Sequence, residues 1–421
     1  MFSLMKYTIT TLMILISQTA NCSERKISLT INNPSPYTKT NVPAIIKLSE
    51  IPDLDFSPSS AVIFEGAKSY AYQLDDLDHD GKKDELCFLY DISGESKKVF
   101  DVTLSDTILL DTEDIQEVYC ELLLDDQKGL HPSINSIEAP GSSNIFNALY
   151  HHGVAFESEF TCYRIYFDHR QNIDIYGKRK HQLELSETHF YTDSIHQSKG
   201  YGNDVLWAGN SIGCGSLKLW LDGRSTNWDN VETRSQRILS NGPIRTIVSM
   251  SDAGIAVGQD KYDITTIYTQ YAKHRDIIVD VYLNKAIKTP FLCTGVQKVG
   301  ISPSAQTYNG GILSEGWIRG GLAASWGSDY PEMGKKAQYP PEAVGLAVYS
   351  EDKYLVESSV DDLNYLLVVG RPGQKHIRYY VSFCSAKEEN GYSDSASWFE
   401  SLSSWSSTLE SENQITIETV H

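Results

Sequence analysis

Basic side chains are in short supply: 36 Lys and Arg stand against 55 Asp and Glu, a formal charge of −19 over 421 residues. Binding nucleic acid needs a basic surface that displaces phosphate counterions, so that class of partner is excluded, and an anionic substrate has to be met by a local basic pocket. Cysteine is sparse as well. The seven are widely scattered, and no C-x-x-C pair or His/Cys cluster suggests zinc. Cys162 and Cys384 fall inside strand-like runs, where buried free thiols are expected rather than a disulfide framework. Also missing are a serine-nucleophile elbow, a phosphate-binding glycine loop and a dinucleotide fingerprint in strand-to-helix context, which argues against hydride and phosphoryl transfer. No uninterrupted apolar stretch reaches the roughly 20 residues of a membrane-spanning helix.

What the chain does have at its start is Lys6, an apolar run from Ile9 to Ile16 and a short polar stretch ending at Cys22. This reads as an export signal over residues 1–22 and places the mature protein in the periplasm. Cys22 also allows a lipid-bearing N-terminus of the bacterial lipoprotein kind. Thr19 and Asn21 depart from that pattern, and conventional cleavage is the favoured reading.

From Lys26 onward, short β-branched and aromatic runs alternate with Gly, Asn, Asp and Pro, the pattern of a mostly β, antiparallel sandwich. Strands are expected at Ile27–Ile31, Ala61–Phe64, Leu86–Tyr90, Phe156–Phe167, Arg245–Met250, Tyr262–Tyr271, Ile277–Leu283, Val344–Tyr349 and Ile377–Phe383. Several are long enough for large curved sheets. One amphipathic helix is expected over Ser395–Ser406. Gly129, Pro132, Pro140, Gly141 and Ser142 suggest a boundary near residue 140, between an N-terminal β-portion (23–140) and the main sandwich (141–421).

Three segments could carry chemistry. Asp76, Asp78, Asp80 and Gly81, followed by Asp84, resemble the start of a calcium loop, in which alternate carboxylates converge on a hard cation. The EF-hand register then fails, because Cys87 stands where the closing Glu belongs. A structural Ca²⁺ and an unliganded acidic hairpin are both open, and neither is catalytic.

Residues 150–168, YHHGVAFESEFTCYRIYFD, are the densest candidate. On one strand, alternation would put Glu157, Glu159, Thr161 and Tyr163 on one face, with Ser158, Phe160, Cys162, Arg164, Tyr166 and Asp168 on the other. Both faces are polar, so one of them should line a wet groove. His151 and His152 suit proton transfer near neutral pH; the plainer alternative is a set of satisfied interstrand hydrogen bonds. Lys178, Arg179 and Lys180 form a dense basic cluster, read either as a clamp on a substrate carboxylate or sulfate or as an exposed hairpin tip. His189, Trp207 and Arg275 add aromatic and charged groups suited to sugar binding.

The segments LTINNPS (29–35), DDLDHDGKKDEL, YHHGVAFESEFTCYRIYFD, IDIYGKRK, SNGPIRTIV, YAKHRDI and CTGVQK together resemble one bacterial family. It is a family of formerly unknown function, found in polysaccharide-utilisation loci, that includes an ulvan oligosaccharide dehydratase. The resemblance spans roughly residues 26–405. It implies a galactose-mutarotase-like β-sandwich acting on uronate-containing oligosaccharides, with removal of water across C4 and C5 of a non-reducing-end uronic acid.

Such an elimination needs a group that neutralises the carboxylate, a base at C5 and an acid at O4. Arg164 or Lys178–Lys180 could neutralise, His152 or Tyr166 could take the proton, and His151 or Tyr163 could assist departure. No cofactor is required for this chemistry. A polysaccharide lyase using the same elimination, a hydrolase using Glu157 and Glu159, and a non-catalytic glycan binder are the alternatives.

Overall fold

The computed structural model describes residues 23–108, 116–126, 128–143, 145–300, 315–329 and 342–420. The expected export signal and Cys22 lie outside the described residues. Antiparallel strands dominate, as the alternating runs require.

A first lobe packs a five-stranded sheet, built from Glu24–Asn33, Ser60–Glu65, Lys68–Tyr70, Ser96–Ser105 and Gln414–Thr419, on a three-stranded sheet of Lys39–Lys47, Gln73–Asp75 and Glu85–Ile92. Leu29, Ile31, Ile46, Phe88, Phe100 and Val102 fill the space between them. The period-two burial of Glu24–Asn33 shows why the strand sits as it does: Ile27, Leu29, Ile31 and Asn33 point inward while the intervening residues do not.

The lobe ends earlier than the Gly/Pro cluster suggests. Val118–Glu121 pairs with Gly153–Ser158 and Ser136–Pro140 with Thr233–Asn241, so both strands belong to the main body. The boundary falls between Ser105 and Val118, and the turn-rich stretch near residue 140 is a loop inside the body. The last strand, Gln414–Thr419, returns to the first lobe by pairing with Glu24–Asn33.

In the main body a nine-stranded sheet faces two five-stranded ones. One core joins all three, with Phe156, Tyr163 and Ile165 from one small sheet, Leu219, Leu292 and Leu367 from the other, and Val248, Tyr268, Val279 and Phe383 from the large one. The helix Ser395–Leu409 starts at an Asp394 cap, which accepts the Ser397 N–H at 2.8 Å. Its Trp398 and Leu402 are buried over the outer side of the large sheet.

The lobes are joined by Arg245. Its guanidinium donates to Asp75 at 2.8 and 2.5 Å and to Glu85 at 2.7 Å, while Gln73 accepts the Ile244 and Arg245 amides at 2.7 and 2.9 Å.

The six cysteines among the described residues are free and buried. The expected single strand Phe156–Phe167 is a hairpin of Gly153–Ser158 and Thr161–Tyr166, turning at Glu159–Phe160. That turn reverses the direction of the chain, so the face assignment across it has to be made separately for each strand.

Candidate functional site

The small sheet with strand order Asn203–Asp204, Ile173–Gly177, Thr161–Tyr166, Gly153–Ser158 and Val118–Glu121 has two different faces. Val154, Phe156, Tyr163, Ile165, Ile173 and Ile175 point into the core. The opposite face carries Glu121, Glu157, Arg164, Tyr166, Asp174 and Tyr176, and residues 178–202 lie across it.

A buried ion pair fastens that covering segment. Glu157 and Lys178 are both sealed from solvent and pair at 2.5 Å. Lys178 also donates to the carbonyls of Ser158 and Gln182 at 2.6 and 2.7 Å. Glu157 accepts the backbone N–H groups of Glu184 and Leu185 at 2.7–3.0 Å, which caps the short helix Leu185–Thr188. Tyr176 and the Gly202 N–H both donate to Glu184 at 2.8 Å.

Beyond this helix the chain turns through two consecutive non-glycine residues in the left-handed region, His189 at φ 45° and Phe190 at φ 69°. Such residues cost energy, and they persist only where their surroundings over-determine them. Here the surroundings are specific. Phe190 is buried against Arg164, 4.1 Å from the ring centroid to the guanidinium carbon. His189 is thereby held down onto Glu121, and Tyr191 onto Arg164.

Glu121 is the hinge of the arrangement. It is almost wholly buried and accepts from two imidazoles, His151 Nε2 at 3.1 Å and His189 Nδ1 at 3.0 Å. Burial alone would push its carboxyl up, but the hydrogen bonds and charge of the two histidines outweigh burial and hold it below its ordinary value. The histidines diverge. Burial lowers fully enclosed His151, whereas the hydrogen bond to Glu121 raises His189, whose side chain is 35% exposed. With Nδ1 committed to Glu121, Nε2 is the nitrogen of His189 left to exchange a proton with a bound molecule.

Beside it, the Tyr150 ring meets His189 and Tyr191 edge-on, at centroid distances of 6.1 and 5.7 Å. Tyr191 is 37% exposed, and its hydroxyl accepts from Arg164 Nη1 at 3.2 Å. Its own O–H therefore remains to donate outward. Arg164 is buried and also donates to the Tyr166 hydroxyl at 2.7 Å and to Asp174; Asp204 lies 3.7 Å away. Burial works against its charge, but the surrounding hydroxyls and carboxylates more than restore it. Tyr166 donates to Asp174 at 3.0 Å, so its proton is already engaged.

The structure therefore brings together His151, Arg164, Tyr166 and His189. His152 is adjacent, stacked on Phe146 at 3.8 Å with Nδ1 donating to the Phe146 carbonyl at 2.9 Å.

Other expected site residues sit elsewhere. Tyr163 is buried on the core face, where its hydroxyl donates to the Arg275 carbonyl at 2.8 Å; it stands one strand position from Arg164 and so points to the opposite side of the sheet. Lys178 is an internal strut and cannot be part of a clamp, which leaves Arg179 and Lys180 as exposed residues of the following turn. Arg275 spends its fork on Glu388 at 2.7 and 2.6 Å. Trp207 follows Asp204 on a loop, its carbonyl accepting from Gln297 at 3.1 Å. Glu157 and Glu159 do not form a hydrolytic pair, because the first is sealed against Lys178 and the second accepts the Lys273 N–H at the hairpin turn.

In the acidic loop, oxygens of Asp76, Asp78 and Asp84 converge within 4.8 Å, with Asp80 outside the group. Asp76 and Asp78 accept the Asp80 amide at 3.1 and 3.0 Å, and Asp84 accepts the Leu77 amide at 2.6 Å, so the loop's own backbone already uses these carboxylates.

The residues that sequence reading passed over are Glu121 and Tyr191's role as a donor. Tyr119 and Glu121 are alternate polar positions on a four-residue strand, a signal too short to separate from any edge strand. A cleft of about 480 Å³ between the lobes contains His274, but both of its nitrogens are occupied, by Asp276 and by the Asn41 carbonyl.

The sequence matches DUF4861, a domain of unknown function, over residues 31–415. The chain belongs to this family. No curated protein matches it. Among solved structures, it is similar to a glycosyl hydrolase family 38 protein from Enterococcus faecalis, at 11% identity and a TM-score of 0.47 over 94% of this chain and 47% of that one. It is also similar to an α-mannosidase from Enterococcus faecalis V583, at 10% identity and a TM-score of 0.45 over 94% and 46%. The chain spans about half the length of either structure. Likeness at this level carries no activity across.

Proposed function

We propose that this protein is a periplasmic dehydratase that removes water across C4 and C5 of the non-reducing-end uronic acid of ulvan-type oligosaccharides, leaving an unsaturated uronyl end. The support comes from the family resemblance of the motifs and from one observation above the others. His189 is a partly exposed imidazole with Nδ1 fixed on a buried carboxylate, and two residues later the chain presents a phenol backed by arginine.

In this reading His189 stands as the base in place of His152 or Tyr166. Its Nε2 takes the C5 proton, the C–H electron pair becomes the C4=C5 double bond, the C4–O4 bond breaks, and O4 takes the Tyr191 proton and leaves as water. Arg164 stabilises the phenolate that remains. It also supplies positive charge, one hydroxyl removed, where charge builds beside the uronate carboxylate. Glu121 fixes the tautomer of His189 and stabilises its protonated form, and His151 fixes Glu121. Proton transfer through solvent from His189 to Tyr191 restores the site. With a sugar instead of hydrogen on O4, the same steps make a lyase.

Incubating the mature protein with ulvan-derived acidic oligosaccharides and following mass and ultraviolet absorbance tests the proposal. Loss of one water together with new absorbance from the conjugated carboxylate is the expected result. Chain scission with the same absorbance would make the protein a lyase. Unchanged oligosaccharides across a panel of uronate glycans would refute elimination and leave glycan binding.

A further inference from the structure

Next to the reacting face lies a second feature that the elimination does not use. A cavity of about 470 Å³ is lined by Ser142, Ser143, Phe146, Asp168, His169 and Arg170, among others, and falls within the size range of sites for small ligands. Aromatic rings connect it to the candidate site. Phe146, in the cavity wall, stacks on His152 at 3.8 Å and lies 5.8 Å from Tyr166, which is bonded to Arg164.

The Arg170 guanidinium bridges the two regions, 5.7 Å from the ring centroids of both Phe146 and Tyr166. Its Nε and Nη2 are held by Asp168 at 2.8 and 2.6 Å, which fixes the plane of the fork. The side chain is 36% exposed and lines the cavity, with Nη1 outside the pair made with Asp168. Behind it, buried Lys218 is held by neutral acceptors, the Arg170 carbonyl, Asn172 at 2.8 Å and Asn227 at 3.0 Å, and burial lowers its pKa to about 7. A pre-oriented guanidinium edge beside an aromatic wall is the arrangement that recognises a planar or tetrahedral oxyanion carried on an apolar ring face.

We propose that this cavity is the subsite for the sugar adjoining the reacting uronate, and that Arg170 recognises an anionic substituent, sulfate ester or carboxylate, on that sugar. The proposal rests on the function proposed above, and it deepens it by naming what sets substrate preference.

The test is calorimetric binding of ulvan-derived oligosaccharides, native, desulfated and carboxyl-reduced, to the wild-type protein, to Arg170→Gln and to Arg170→Lys, with melting temperatures confirming that the variants fold. Arg170→Gln is expected to bind the native oligosaccharide at least about tenfold more weakly than wild type, the effect of losing one charge-assisted hydrogen bond. Arg170→Lys is expected to fall between them. Removing the recognised group from the ligand, by desulfation or by carboxyl reduction, should abolish the difference between the proteins and so identify it. If Arg170→Gln binds every ligand as wild type does, or loses affinity equally for all three, the subsite is refuted while the elimination stands. Absence of binding to the wild type would overturn both.

Discussion

Replacing Glu121 by Gln keeps the shape of the side chain and removes the charge that two histidines share. In the wild-type protein Glu121 accepts from His151 at 3.1 Å and from His189 at 3.0 Å. A charge-assisted hydrogen bond of this kind is worth about 1.5–3 kcal/mol. The buried His151 contact counts in full, and the His189 contact, about a third exposed, is discounted for solvent screening. The stability loss is therefore about 2–4 kcal/mol near neutral pH.

The pH dependence gives the sharper readout. The folded-state value of Glu121 is lowered, so its contribution is present above the unfolded carboxylate value of roughly 4.3 and is lost as pH falls through the folded one. The stability gap between wild type and variant should narrow in acid. His189 behaves oppositely, because Glu121 raises it, and the contribution of that pairing is lost as pH rises through the folded-state value. Without Glu121 the acid limb of kcat/KM should move to lower pH, with activity at the optimum down by about a hundredfold or more as the tautomer is released. A pH–rate profile with denaturant unfolding measures both. A variant less stable than wild type but with an unshifted acid limb would show that Glu121 supports the fold and does not act through His189.

Tyr191→Phe removes the proposed donor and leaves its ring, so kcat should fall by about 10²–10⁴ with KM nearly unchanged; a change confined to KM would make Tyr191 a binding residue only. Lys178→Met leaves Glu157 buried without its ammonium and should cost about 3–5 kcal/mol in denaturant unfolding. An unchanged midpoint would contradict the strut assigned to that pair. Burial pushes the six described thiols up from their ordinary value. They should react with a thiol reagent only after denaturation, and a reductant should leave Tm unchanged; rapid reaction of the native protein would contradict their burial.

Strands with clean alternation, such as Ile27–Ile31, and the C-terminal helix were legible because period alone specifies the buried side. The hairpin at Glu159–Phe160 was not. It has no Gly, Pro or Asn, and Ser158 Oγ, which donates to the distant His274 carbonyl at 2.6 Å and accepts the Phe160 N–H, helps hold the turn. Turn chemistry also misplaced the lobe boundary, since the Gly/Pro cluster marks a loop within the body.

At the site, the sequence singled out Arg164, Tyr166 and His189 as residue types, but could not tell which of Tyr163 and Tyr166 faces outward once the strand had been read too long. Glu121 lies 30 positions before His151, a separation that only the folded sheet closes. The left-handed turn at His189 and Phe190 uses neither Gly nor Asn, so nothing local announced it.

The central claim is that the C5 proton leaves with O4. Acidic oligosaccharides carrying deuterium at C5 of the terminal uronate test it directly, with wild-type protein and His189→Ala compared by mass spectrometry. Elimination predicts a dehydrated product that has lost its deuterium, slower turnover of the labelled substrate by wild type, and no product from His189→Ala. A product that retains deuterium at C5, or full turnover by His189→Ala, would contradict the account.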